Sequence, residues 1–265
     1  MNLLLPGAYV SADSALHRLD PRVKMAAALL LMTIPFAAHN LASYLLLSAF
    51  VVMVALLSNA PLLALLRTLR IVFWLGFFLF FFYLFSTPGQ TLFAWGPIVV
   101  SWEGLTAGAV QIFRVCLLVV VAALLTFTTS PTQLAHGLEA TLGPLQRVGL
   151  PVRELVMVLT IALSFVPTFF EEIDKISKAQ RARGADFRSG GLSQRIRGLV
   201  PVFIPIFVSA FRRAEDLAIA MEARGFRGAP RRTRLYRLRL GRGDLVAFLV
   251  VLAVILAALG LERLL

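Results

Sequence analysis

The sequence contains few charged residues, a single cysteine and no phosphate-binding loop. Charged side chains account for 15% of its 265 residues and hydrophobic ones for 59%, with a mean hydropathy of +0.84. Soluble proteins do not have this balance, so soluble enzymes are excluded. Because Cys116 is the single cysteine, no intramolecular disulfide can form, and a disulfide-stabilised scaffold is excluded as well. The composition predicts a polytopic membrane protein.

Residues that could carry catalysis or bind a metal are also scarce. No lysine follows a glycine, so the chain lacks the Gly-x-x-x-x-Gly-Lys loop that holds nucleotide phosphates, and any ATP hydrolysis must belong to a partner. The three histidines, His17, His39 and His136, are far apart in the chain and fall on both sides of the predicted bilayer. A shared metal site needs its ligands close together. We therefore predict no enzymatic activity, no catalytic residue, no metal site and no cofactor for this chain.

Five apolar runs are each long enough to cross the ~30 Å of hydrocarbon in a bilayer. They extend over about Lys24–Asn40, Leu41–Ser58, Ile71–Ser86, Thr106–Thr129 and Leu245–Leu261. The predicted fold class is all-α, with about five transmembrane helices and a cytoplasmic domain of long amphipathic helices. The predicted division is a membrane domain over residues 1–129 with four spans, a cytoplasmic domain over 130–243 and a last transmembrane helix over 244–265.

The formal charge of +12 is distributed unevenly between the two sides of the predicted bilayer. With five spans, one side receives Arg18, Arg22, Lys24, Arg67, Arg70 and every basic residue from Arg147 to Arg242. The loops on the other side, around Asn40 and over Thr87–Leu105, contain no lysine or arginine. Basic loops remain in the cytoplasm, so we predict a cytoplasmic N-terminus and an external C-terminus, with Arg263 as an exception. Because the membrane topology accounts for the basic residues, we predict no nucleic-acid partner.

Two further apolar segments lie between residues 130 and 243. Val152–Phe170 and Val200–Ala220 could form a transmembrane hairpin, but the hairpin would place seven basic residues outside the cell. Prolines at 167, 201 and 205 are expected to interrupt both segments. We therefore interpret both as helices of a mostly cytoplasmic domain that could dip into the inner leaflet. Asp20-Pro21 and Ser130-Pro131 are typical helix starts, and the spacing of leucines predicts an amphipathic helix between Pro131 and Gly149.

An internal duplication marks the cytoplasmic segment. Asp174–Gly184 matches Glu215–Gly225 at an offset of 41 residues, and both copies end in Ala-Arg-Gly. The tripeptide is typical of a helix end, where arginine complements the helix dipole and glycine adopts the left-handed cap. An arginine held there is also an exposed fork of five donors that a second protein can bind. From the residues alone, both interpretations remain open: a simple helix end or a docking tip.

These motifs resemble those of a known family. The two Ala-Arg-Gly copies, the opening Ser14–Lys24, Thr129-Ser130-Pro131, Pro144 and Gly149-Leu150-Pro151 are similar to the transmembrane T component of energy-coupling factor (ECF) transporters, a kind of ABC transporter. The resemblance covers nearly the whole chain and is densest over residues 130–228. In that family, two ATP-binding subunits, identical or paralogous, drive the uptake of vitamins or transition-metal ions, and a separate membrane S component captures the substrate. The T component joins them in the cell membrane of a prokaryote.

The resemblance also implies which residues bind the partners. The family's arginines lie at the ends of long cytoplasmic coupling helices and enter grooves on the two ATPases. In this sequence the implied ATPase-docking residues are Ala182, Arg183, Gly184, Ala223, Arg224 and Gly225. ATP itself would be bound by the partner subunits.

The aromatic run over residues 73–85 surrounds a helix on all sides, so it must contact lipid or other protein throughout. In the family interpretation, Phe77, Phe78, Phe81 and Phe82 offer an apolar surface to the S component. Lipid contact is the alternative.

Two other features support alternative functions. Arg114 lies within a predicted span, where it could line a substrate pathway in a self-sufficient secondary transporter or channel. It could equally extend to the membrane interface or bind a backbone carbonyl of a neighbouring helix. Gly104 and Gly108 in the same helix favour close helix packing. The basic stretch Arg231–Arg242 favours contact with anionic lipid and suggests a third class, a membrane-anchored scaffold.

Overall fold

A computed structural model describes residues 14–38, 40–59, 61–95, 98–184, 191–226 and 240–264. Within these ranges the chain forms α-helices, a short 3₁₀ helix and one antiparallel β-hairpin. In chain order they are α1 (Pro21–Ala37), α2 (Leu41–Leu57), α3 (Leu62–Ser86), β1 (Thr91–Trp95), β2 (Ile98–Ser101), α4 (Trp102–Thr128), α5 (Pro131–Leu142), the 3₁₀ helix (Gly143–Val148), α6 (Val152–Ala182), α7 (Leu192–Ala223) and α8 (Arg242–Leu264). The all-α fold class is confirmed, with the hairpin as an addition that the sequence analysis did not predict.

The helices form two compact units. The first contains α1 to α5, the hairpin and α8, and the second contains the 3₁₀ helix, α6 and α7. The core of the first unit is apolar and includes Tyr44 and Leu47 of α2 and Leu124 and Phe127 of α4. In the second unit, α6 and α7 pack against each other. The predicted functional division at residues 130 and 243 stays a prediction.

Both proline-led helix starts are confirmed. The Asp20 carboxylate accepts a hydrogen bond from the Arg22 N–H at 2.9 Å, and α1 begins at Pro21. Before α5, the Ser130 hydroxyl accepts from the Gln133 N–H and the Gln133 side chain accepts from the Ser130 N–H, both at 3.2 Å. This reciprocal capping box satisfies two backbone donors that have no partner within the helix.

A buried carboxylate at the start of α8 binds the segment that precedes α1. Asp244, at the start of α8, accepts hydrogen bonds from the backbone N–H groups of Asp20 and Gly241, each at 2.7 Å. Nearby, the Lys24 ammonium donates to the backbone oxygens of His17 and Thr128 at 3.1 and 3.0 Å. These contacts hold the start of α8 beside the start of α1 and the end of α4.

Close packing of α3 on α4 depends on two glycines. A Cβ atom at Gly104 would lie 2.8 Å from the backbone oxygen of Leu84, and one at Gly108 would lie 2.8 Å from the ring of Phe80. Neither approach is possible for a real side chain without movement of α3. The predicted role of these glycines in helix packing is therefore confirmed.

The helix boundaries correct two expectations. Arg67 and Arg70, expected in a cytoplasmic loop, lie inside α3, which begins at Leu62 rather than near Ile71. Leucine and arginine are strong helix formers, so the helix continues beyond the apolar run. The prolines at 167, 201 and 205 do not interrupt α6 or α7, which run for 31 and 32 residues.

Among the described helices, α3, α4, α6 and α8 are long and apolar enough to cross a membrane. The remaining predicted spans correspond to α1 and α2, which have 17 residues each, near the lower limit for a span. By length and composition α6 also qualifies, so its expected position in the cytoplasm stays a prediction.

Candidate functional site

The first Ala-Arg-Gly copy forms the C-terminal end of α6. Ala182 is the last helical residue and Arg183 is the cap, with φ −85° and ψ 6°. Gly184 adopts the left-handed conformation at φ 88°, and its N–H donates to the Arg181 oxygen at 3.0 Å. This turn ends the helix at Arg183, which is exposed.

The second copy ends α7 with the same geometry. Arg224 is the cap, with φ −84° and ψ 7°, and Gly225 has φ 72°. The N–H of Gly225 donates to the Glu222 oxygen at 2.8 Å, and the N–H of Phe226 donates to the Met221 oxygen at 2.9 Å. These two bonds define a Schellman cap. The duplication in sequence is thus a duplication in backbone conformation.

All six predicted docking residues are exposed. Neither the Arg183 nor the Arg224 guanidinium has a hydrogen bond or an ion pair with any residue that the structure describes, and a Cβ placed on Gly184 or Gly225 would meet nothing within 4 Å. An exposed helix cap with an unengaged guanidinium is suited to bind carboxylates or carbonyls of another protein. We call Ala182–Gly184 and Ala223–Gly225 the two arginine tips.

Three residues that the sequence analysis did not single out connect α6 to α7. The Ser209 hydroxyl of α7 donates to the Glu172 carboxylate of α6, and the Arg213 guanidinium lies 3.4 Å from the second carboxylate oxygen. A signal for this contact was present in the sequence, because Glu172 and Arg213 are separated by the same 41 residues as the two tips.

The predicted S-component surface on α3 is also exposed. Its four phenylalanines range from 38% exposure for Phe81 to 69% for Phe78. The Phe77 and Phe81 rings pack edge to face with centroids 4.7 Å apart, and Phe78, Phe81 and Phe82 line a shallow cleft of about 410 Å³. This surface can accept an apolar partner or lipid.

Arg114 caps a neighbouring helix. Its Nε donates to the Pro35 oxygen at 2.9 Å, one Nη donates to the Tyr44 hydroxyl at 3.1 Å, and the other lies 3.4 Å from the Gln111 side-chain oxygen. The guanidinium also lies 5.2 Å from the centre of the Phe36 ring. The last carbonyls of a helix have no partner within it, and a positive charge there is favourable. Of the interpretations of Arg114 that the sequence left open, the structure supports binding to a backbone carbonyl.

Other candidate features are not brought together. Most of the basic stretch over 231–242 lies outside the described residues, as does His39. His17 and His136 bond within their own segments, to Ser14 and to the Thr132 oxygen. In the part of the chain that the structure describes, no three potential metal-ligating side chains cluster.

Fold and site together define a class of protein: an all-α polytopic membrane protein with two exposed, arginine-tipped helix ends. Comparison with known proteins makes this class specific. The family model for CbiQ, described as a cobalt transport protein, matches residues 12–235. Relatives named energy-coupling factor transporter transmembrane protein EcfT include those of Brevibacillus brevis, 46% identical over 94% of this chain and 95% of the relative, and Thermosediminibacter oceani, 44% identical over 92% of each.

The relative from Bacillus subtilis carries the same name and is 41% identical over 98% of both chains. A match of this length and identity extends through both units of the structure. The chain therefore belongs to the EcfT/CbiQ-like family of transmembrane components of energy-coupling factor transporters.

Proposed function

We propose that this chain is the coupling subunit of an ECF importer and that the two arginine tips each dock one ABC-type ATPase subunit. The observation that carries the proposal is the repeated geometry: α6 and α7 end in the same cap, each with an exposed arginine. Neither guanidinium binds any residue that the structure describes. Two equivalent docking points fit two ATPases that are identical or similar in structure.

In this function the ATPases bind and hydrolyse ATP, and the chain itself is not an enzyme and carries no cofactor. Motion of the ATPases on binding ATP passes through α6 and α7 to the membrane helices. There it reorients a separate S component, which holds a vitamin or a transition-metal ion and rests on the α3 aromatic surface. The chain lies in the prokaryotic cell membrane with its N-terminus and both tips in the cytoplasm, as the distribution of basic residues supports.

The test is reversal of charge at both tips. With Arg183→Glu and Arg224→Glu together, the ATPases should no longer copurify with the chain, because each substitution replaces a donor fork with a carboxylate. The matched control is Lys175→Glu with Arg212→Glu, which changes the net charge equally on the same two helices at exposed positions away from the tips. A stoichiometric complex with the double tip variant would refute the docking role.

A second experiment separates this function from a self-sufficient transporter. The chain alone in liposomes should not move vitamins or Co²⁺, because the substrate is captured by another polypeptide. The contacts of Arg114 give the alternative no support, since they engage the end of α1. Substrate flux through the purified chain alone, lost on Arg114→Met, would contradict the coupling function.

A further inference from the structure

The contact between α6 and α7 lies at equivalent positions of the two helices. Glu172 precedes Arg183 by eleven residues, and Arg213 precedes Arg224 by eleven residues. At 1.5 Å per residue, each tip is therefore about 16 Å along its helix from the contact. The contact is a polar connection between the two helices, and the helix segments that lead from it to the two tips, which we call the two arms, have equal length.

The chemistry of this contact favours a single relative position of the helices. One Glu172 oxygen accepts the Ser209 hydroxyl, and the other is shielded from solvent, with the Arg213 guanidinium at 3.4 Å. A shielded carboxylate oxygen is costly unless a charge or donor compensates it. Sliding or rotating α6 on α7 would separate all three groups at once.

A second acidic pair shows what an ordinary surface contact on these helices looks like. Asp174 and Lys178 interact at 2.5 Å, but both belong to α6 and both are more than 60% exposed. This pair cannot constrain α7. The Glu172 contact, by contrast, combines a shielded oxygen with two partners from the other helix.

We propose that Glu172, Ser209 and Arg213 form a cross-brace that sets the spacing of the two arginine tips, so that both tips engage the ATPase pair together and are displaced together. The proposal rests on the proposed function, because it needs two docked ATPases. These three are positioning residues that act through Arg183 and Arg224. Preset spacing raises affinity because the second tip binds at high effective concentration once the first is bound.

The test compares two-tip with one-tip binding. The full chain in nanodiscs is titrated with its purified ATPase pair. Glu172→Ala or Arg213→Glu should weaken binding by about tenfold or more, because the spacing is no longer preset. In the background of Arg183→Glu, where only one tip docks, the same substitutions should have no further effect. A general loss of folding would weaken both kinds of binding equally.

Charge exchange and a control variant complete the test. Glu172→Arg combined with Arg213→Glu should restore most of the two-tip affinity, since the pair is re-formed with reversed polarity. Asp174→Asn removes the exposed pair within α6 and should leave two-tip affinity unchanged. Wild-type affinity in both single cross-brace variants, or an equal loss in one-tip binding, would overturn the proposal.

A distance measurement keeps this test separate from that of the proposed function. Spin labels at Ala179→Cys and Ala220→Cys, in a chain with Cys116→Ser, report the spacing of the arms without any ATPase. The distance distribution should be narrow in the parent and broad in Glu172→Ala. If the parent binds no ATPase, the docking function fails, and an unchanged distribution in Glu172→Ala would still overturn the cross-brace.

Discussion

The left-handed glycines at the two tips allow a prediction that tests backbone conformation separately from steric clashes. Gly184 and Gly225 have φ of 88° and 72°, and a Cβ at either would meet no atom within 4 Å. Gly184→Val and Gly225→Val therefore create no clash, and their cost is the strain of a β-branched residue at positive φ. That strain is about 1–2 kcal/mol at each position. If the last turn unwinds to relieve it, the arginine beside it loses its direction.

The measured consequence is the affinity of the chain for its ATPases. A loss of about 1–2 kcal/mol at one tip corresponds to an affinity about 5- to 30-fold weaker. Titration of nanodisc-embedded chain with the ATPase subunits measures this directly. Asn tolerates the left-handed region, so Gly184→Asn and Gly225→Asn should bind better than the valine variants. Gly191→Val is the matched control, because Gly191 is equally open but has φ −70°. Equal affinities for the valine, asparagine and parent chains would refute the reasoning.

Three further predictions concern the membrane unit. Gly104→Val should lower the free energy of unfolding in detergent by about 1–3 kcal/mol, because the valine side chain meets the α3 backbone. The control Gly260→Val places its side chain in open space and should have little effect. Equal melting temperatures for the two variants would contradict this packing. Arg114→Met should lower the free energy of unfolding by about 1–2 kcal/mol and leave ATPase binding unchanged, because it removes the hydrogen bond to the Pro35 oxygen. Arg114→Lys should lower it by less. Loss of ATPase binding at full stability would contradict a purely capping role. Phe78→Ser with Phe82→Ser should reduce copurification of the S component but not of the ATPases. Each ring that the partner covers contributes about 1.5–3 kcal/mol through its burial. Unchanged copurification of the S component would assign this surface to lipid.

Much of the fold follows from patterns of single segments. Apolar runs of the right length predicted the helices now numbered α1 to α4 and α8, and the capping residues Asp20 and Ser130 predicted where α1 and α5 begin. Helix ends were less predictable. The sequence analysis placed the start of α3 near Ile71 because it followed hydropathy alone, and it expected Pro167 to interrupt α6, whereas α3 begins at Leu62 and α6 continues through Pro167.

The candidate site, like the fold, could be predicted from the sequence only in part. Ala-Arg-Gly at an offset of 41 was visible in the sequence, because a helix cap is a local structure formed by adjacent residues. The hydrogen bond from Arg114 to the Pro35 oxygen was not, since it joins residues 79 positions apart. Sequence reasoning could only leave open which neighbour an intramembrane arginine would find.

The amino-acid sequence by itself determined the class of this protein, its helices and the two arginine tips, because hydropathy and capping act over a few adjacent residues. Tertiary structure decided which groups meet: Glu172 with the Ser209 hydroxyl and the Arg213 guanidinium, and Gly104 with the α3 backbone at Leu84. Those contacts depend on how separate helices pack, and packing is a property of surfaces that form only after the helices come together.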